Sequence, residues 1–122
     1  MFGDIATDLA AVLQGGMGMA GSGNIGDKHA FFEPVHGSSP KYAGMNKVNP
    51  IASINSVQMM MDWLGRKNGS QELLDVASSI ETCVAQHLAE GKHLTYDLGG
   101  DSSCSQVGDL IANRLAKTLS EN

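Results

Sequence analysis

The chain has 122 residues, enough for one domain with a core, and 42% hydrophobic against 17% charged residues marks a globular rather than a disordered polypeptide. A net charge of −5 without a basic stripe argues against nucleic acid as a partner, and no apolar run approaches the ~18 residues of a membrane span. Cys83 and Cys104 form no Cys-x-x-Cys pair and read as reduced thiols. Met1 to Leu13 carries two aspartates and no basic residue, which does not fit a signal peptide, so the expected location is cytoplasmic.

In chain order, Met1 to Gln14 is predicted helical, with Ile5, Leu9, Val12 and Leu13 on one face and Gly15-Gly16 as the stop. Asp4 and Asp8 fall one helical turn apart on the same side. Like charges so placed suit an oxygen-seeking divalent cation, Mg²⁺ or Mn²⁺, between them. They equally suit the positive end of a helix dipole, with no ligand at all. Gly21-Ser-Gly23-Asn-Ile-Gly26 matches G-x-G-x-x-G, but no hydrophobic strand precedes it and Pro34 interrupts the stretch after it. No acidic residue stands ~20 positions beyond the turn to hold a ribose. It is therefore expected to be an extended, glycine-rich piece, Met17 to Ile25, and not a dinucleotide turn. Phe31, Phe32 and Val35 predict a short strand within His29 to His36, and Pro34 restricts it to an edge or an end. Glu33 on such a strand ordinarily faces solvent.

His36 to Pro50 reads as a shaped loop feeding a helix. Gly37 and Gly44 offer unusual backbone angles, Pro40 pushes Ser39 away from helix, and Asn49-Pro50 has the form of a helix start. Lys41, Lys47 and His36 place charge or hydrogen bonds in the same region. Such loops suit phosphates, though the same features describe an ordinary strand-to-helix connection with solvated lysines. Pro50 to Leu64 is the clearest helix, with Ile51, Ile54, Val57, Met61 and Leu64 on one face. Met59, Met60 and Trp63 widen its apolar stripe, and Gly65 is expected to close it. A second long helix is predicted over Ser70 to Glu90, with His87 beside its apolar face and Gly91 after it. Thr95 to Leu98 is expected to be extended. Ser103-Cys-Ser-Gln106 has the form of a capping box opening a last helix through Leu119. The expected fold class is α/β, a single domain over 1–122 with two or three short strands and about four helices.

Three blocks carry a family resemblance. Phe-Glu-Pro-Val-His-Gly-Ser-Ser-Pro-Lys-Tyr-Ala-Gly with the later Val-Asn-Pro resembles the adenosine-binding loop of the isocitrate and isopropylmalate dehydrogenases, the metal-dependent β-decarboxylating dehydrogenases. Met1-Phe-Gly-Asp-Ile-Ala-Thr-Asp-Leu-Ala resembles the signature around their metal aspartates, and Thr95 to Asp109 resembles their C-terminal block. The resemblance implies the C-terminal third of an isopropylmalate-dehydrogenase-like fold. It makes Asp4 and Asp8 metal ligands for Mg²⁺ or Mn²⁺, and it assigns His36, Gly37, Ser38, Ser39 and Asn49 to the adenosine site of NADP or NAD. Lys41 and Tyr42 approach the ribose 2′-position, Tyr96 joins them, and Glu33 lies toward the nicotinamide. Lys41 suits a 2′-phosphate, whereas the arginine that NADP-selective members place four residues after the tyrosine is Gly100 here. The family's substrate arginines, acid–base Tyr and Lys, and a further metal Asp lie upstream or on a partner subunit. The implied reading is therefore a dehydrogenase portion inactive alone, with the missing N-terminal enzyme portion as its natural complement. The alternatives are one subunit of a split dehydrogenase, or a nucleotide-binding or assembly module without catalysis. The wide apolar stripe of Met59, Met60 and Trp63 leads to the expectation of a homo-oligomer, a twofold dimer.

Overall fold

A computed structural model describes residues 2–13 and 15–121, leaving the side chains of Phe2, Asp4, Thr7, Asp8 and Ala11 outside the description. Its elements are α1 (Phe2–Leu13), β1 (Gly21–Ile25), β2 (Ala30–Pro34), α2 (Ile51–Asn68), α3 (Gln71–Glu90) and α4 (Cys104–Ser120). Short 3₁₀ turns lie at Pro40–Tyr42 and Tyr96–Leu98. The expected α/β class is the observed one.

The strands form an antiparallel hairpin, registered from Gly21 opposite Pro34 to Ile25 opposite Ala30, with Gly26 N–H donating to His29 O at the turn. The expected extended stretch from Met17 contracts to Gly21–Ile25, because residues 15–19 turn instead, with Met19 N–H donating to Gly16 O. The glycines of the G-x-G-x-x-G match have a packing function. A Cβ at position 21 would stand 3.0 Å from Ser56 N, and one at position 23 would stand 3.0 Å from Phe32 Cε1. Their absent side chains let β1 lie directly on α2 and leave room for the Phe32 ring opposite.

Gly65 does not close α2. The helix continues to Asn68 and ends on Gly69 in the left-handed conformation, φ 65°. Position 65 is instead a crossing point. It is buried, and a Cβ there would stand 2.8 Å from Leu74 Cδ2, so glycine lets α2 and α3 approach. Ser70 then caps α3 by accepting from Leu73 N–H, and the Ser103/Gln106 capping box forms as expected. Thr95–Leu98 is not extended. Asp97 accepts a hydrogen bond from Thr95 Oγ at 2.5 Å, and Leu98 N–H donates to Thr95 O, so local bonding winds the segment into a turn.

Met19, Ile51, Cys83, Val84, Val107 and Ile111 form the core, with Ile54, Leu88, Leu98 and Leu115 packed against it. The widened stripe of α2 is only half-buried. Trp63 meets Phe32 of the hairpin at a centroid distance of 6.1 Å and carries Lys67 Nζ 4.3 Å from its ring. The apolar face expected on α1 stays open, with Leu9, Val12 and Leu13 all largely exposed.

His87 on α3 is 3% exposed, and its Nε2 has no hydrogen-bond partner. Burial, followed by the charge of Arg114 on α4, holds its imidazole below the ordinary value of 6.5. Glu90 and a backbone hydrogen bond at His93 oppose this, and the His93 charge adds to the depression. Because the unfolded chain protonates first, stability is complete above about pH 6.5 and declines as pH falls below it. Denaturant unfolding between pH 7.5 and 5.5 should accordingly show a steeper loss for the native chain than for His87→Gln. Parallel slopes would contradict this.

Candidate functional site

The loop, the start of α2 and the 96–98 turn are tied together by side chains far apart in sequence. Asn49, 6% exposed, stands before the helix with Pro50 already in helical geometry, φ −85°. Asn49 Oδ1 accepts from Ile51 N–H at 3.0 Å, so the expected capping is done by its side chain. Its Nδ2 donates to Asp97 Oδ2 at 3.0 Å and lies 3.6 Å from Met19 Sδ. Asp97 is held from the other side by Thr95, itself 1% exposed. Gly18 O accepts from Ala52 N–H, and a Cβ at position 18 would stand 2.9 Å from Asp97 Oδ2. A side chain at position 18 would therefore press on the Asp97 carboxylate that Asn49 holds.

The loop takes left-handed backbone at Ser39 (φ 46°), Gly44 (φ 75°) and Asn46 (φ 51°). The left-handed residue in this part of the loop is Ser39, directly before Pro40, and Gly37 does not have positive φ. His36 Nδ1 lies 2.9 Å from Gly37 O. Asn46 anchors the far end of the loop to α4: its backbone O accepts from Cys104 N–H, its Oδ1 from Ser105 N–H, and its Nδ2 donates to Ser105 Oγ.

These ties enclose a cleft of about 470 Å³ lined by His36, Gly37, Ser38, Ser39, Asn49 and Tyr96, all expected at one site from the sequence. Met17, Gly18, Val48 and Asp97 complete the lining. The Thr95-x-Asp97 spacing was the available signal for Asp97, being that of a side chain bonding its own turn. Tyr42 packs on Tyr96 at 5.4 Å between centroids. Lys41 Nζ lies 5.6 Å from the Tyr42 ring, and Lys47 Nζ lies 4.8 Å from the Tyr96 ring and 5.8 Å from that of Tyr42. The hydrogen bond with Tyr42 raises the Tyr96 phenol above its ordinary value, helped by burial and by the charges of Tyr42 and Asp97, so it stays protonated at neutral pH. Glu33 is exposed on β2 opposite Ser22, outside this cleft. The side chains of Asp4 and Asp8 lie outside the described residues, although α1 carries both positions. Among the described residues, no group of three His, Cys, Asp or Glu could hold a metal ion.

An apolar-walled cleft with hydroxyls, amides and an imidazole suits a nucleoside, and the neighbouring ammonium groups suit a phosphate. Comparison with known proteins gives this geometry its context. Residues 1–111 match the family model described as isocitrate/isopropylmalate dehydrogenase. The chain is 44% identical over 119 residues to a homoisocitrate dehydrogenase of Methanocaldococcus jannaschii, covering 98% of this chain and 32% of that protein. It is 45% identical over 122 residues to a mitochondrial regulatory subunit of NAD isocitrate dehydrogenase from Dictyostelium discoideum, covering 99% of this chain and 32% of that one. The crystal structure of isocitrate dehydrogenase from Methylococcus capsulatus superposes with a TM-score of 0.84 at 38% identity, covering 94% of this chain and 32% of that one. A β-decarboxylating dehydrogenase of Thermococcus kodakarensis gives 0.83 at 41% identity, with 98% and 33% covered. The chain thus spans about a third of the length of the relatives it matches. Over that span it is a member of the isocitrate/isopropylmalate dehydrogenase family.

Proposed function

We propose that this chain supplies the adenosine end of an NADP⁺ or NAD⁺ site in a decarboxylating dehydrogenase acting on a 2-hydroxy acid. The rest of the active site comes from polypeptide outside these 122 residues. The observation that carries this reading is the convergence of His36, Gly37, Ser38, Ser39, Asn49 and Tyr96 on one cleft beside Lys41. Asn49 and Asp97 fix the floor of the cleft, and the Ser39–Pro40 turn sets the direction of its loop wall. The Tyr42–Tyr96 pair, its rings tilted 43° to each other, gives an aromatic wall beside the ribose position. Lys41 supplies the charge that distinguishes a 2′-phosphate from free hydroxyls. In this reading Asp4 and Asp8 would hold a divalent metal, Mg²⁺ or Mn²⁺, which would supply Lewis acidity toward the substrate. The relatives' names span isocitrate, homoisocitrate and 3-isopropylmalate. The residues that would choose among such substrates belong to the remainder of the enzyme. The regulatory relative from Dictyostelium supports a second reading, nucleotide binding without turnover.

Titration calorimetry of the 122-residue chain with NADP⁺ and NAD⁺ tests the proposal. NADP⁺ should bind more tightly, and Lys41→Asp should shift the ratio of the two affinities toward NAD⁺ by roughly 10- to 100-fold. That is the effect of losing a charge-assisted contact worth ~1.5–3 kcal/mol. Absence of binding by both nucleotides would remove the proposal. The chain alone should form no NADPH under either reading. NADPH formed from a 2-hydroxy acid and Mn²⁺ once the remaining enzyme portion is supplied would decide against binding without turnover.

A further inference from the structure

The cleft mouth carries a second cation whose position the loop motif does not explain. Lys47 Nζ lies nearer to the Tyr96 ring, at 4.8 Å, than Lys41 Nζ lies to the ring of Tyr42, at 5.6 Å. Both ammonium groups thus flank the same aromatic pair. Neither forms an ion pair with a carboxylate among the described residues; the ion pairs there are Arg66–Asp62 and Arg114–Glu90. Asp97, the acidic group on the adjacent turn, has one carboxylate oxygen bonded by Thr95 and the other by Asn49. The turn bearing Tyr96 offers no cation of its own. Leu98 is apolar, and a side chain at position 100 would put its Cβ 2.1 Å from Leu94 O. Two cations without carboxylate partners around one aromatic pair match a phosphomonoester, which carries close to two negative charges at neutral pH.

Building on the nucleotide-binding function proposed above, we propose that Lys47 is a specificity-determining residue. With Lys41 it forms a two-ammonium seat for the 2′-phosphate of an adenine nucleotide. The tyrosine rings hold both lysines near the position of that phosphate while leaving their N–H groups free to donate. A packing role alone would require only the alkyl stem and ring contact of Lys47, so charge and packing can be separated by substitution.

The probes are adenosine 2′,5′-bisphosphate and 5′-AMP, titrated into the full chain at low and at moderate salt, with thermal melting confirming that each variant is folded. The native chain should prefer the bisphosphate, and the preference should shrink with salt. Lys47→Met should lower bisphosphate affinity about tenfold and leave 5′-AMP unchanged, and Lys47→Arg should restore the preference. If Lys47→Met changes neither ligand or weakens both equally while Lys41→Met still abolishes the preference, Lys47 only packs on the tyrosines. The proposed function would then stand without this inference. If the native chain binds neither probe, both fall together.

Discussion

Gly100→Ala should destabilise the chain by about 3 kcal/mol or more, an effect at the upper end for a single methyl group. The cause is backbone, not side chain. A Cβ at position 100 would stand 2.1 Å from Leu94 O and 2.6 Å from Leu94 C, and neither atom can rotate away. The segment is also pinned on both sides. Gly100 N–H donates to Thr95 O at 3.0 Å, and Ser102 N–H donates to Leu94 O at 2.9 Å. Relieving the clash therefore displaces the turn that carries Tyr96 and Asp97, so the damage reaches the cleft as well as the stability. Urea unfolding reads the first effect and nucleotide titration the second. Gly108→Ala is the internal comparison. It lies inside α4 with nothing within 4 Å of the added methyl, so alanine there should stabilise by roughly 0.5–1 kcal/mol. A Gly100→Ala protein as stable as the native one would show that the 94–102 backbone is not held as described.

The helices were legible because their apolar periodicity and caps agree locally. Ser70, Gly91 and the Ser103–Gln106 box each stand where a helix begins or ends, and each does so in the fold. Gly65 misled because a glycine inside an apolar pattern has two physical uses. A left-handed stop and a close helix crossing look alike until the partner, Leu74, is in place. Thr95 to Leu98 misled for a related reason. Its composition allows a strand, but the Thr95–Asp97 bond and the pull of Asn49, 48 positions away, favour a turn.

The candidate site divides the same way. The residues of one continuous loop, His36 to Ser39, could be grouped from sequence because the chain itself keeps them together. Asn46 and Lys47 lie in that loop too, but what they do depends on Ser105 and Tyr96, which only the folded chain brings near. The relation of Gly18 to Asp97 was hidden for the same reason, although the Thr95-x-Asp97 spacing marked Asp97 as a turn residue. One is a glycine in a glycine-rich stretch, the other an acid in a short turn, and their relation exists only across the cleft.

Ile51→Ala should be the most damaging truncation in the core, costing ~2–5 kcal/mol, with Ile51→Val costing ~0.5–1.5 kcal/mol. Ile51 is 1% exposed and belongs to the cluster of Met19, Cys83, Val84, Val107 and Ile111, so its side chain joins the loop preceding β1 to α2, α3 and α4. Alanine removes packing toward several elements at once, and no single neighbour can close the space left behind. The residue also stands at the hinge between core and cleft, since its N–H is the donor that Asn49 Oδ1 accepts. A looser Ile51 leaves Asn49 less firmly set toward Asp97. The alanine variant should therefore lose nucleotide affinity in addition to stability, whereas the valine variant, which keeps the branched Cβ, should retain binding. Urea midpoints of the two variants, measured beside the native chain, check the stability order. Equal midpoints would mean that α2 is held by the hairpin and α3 without this core contact.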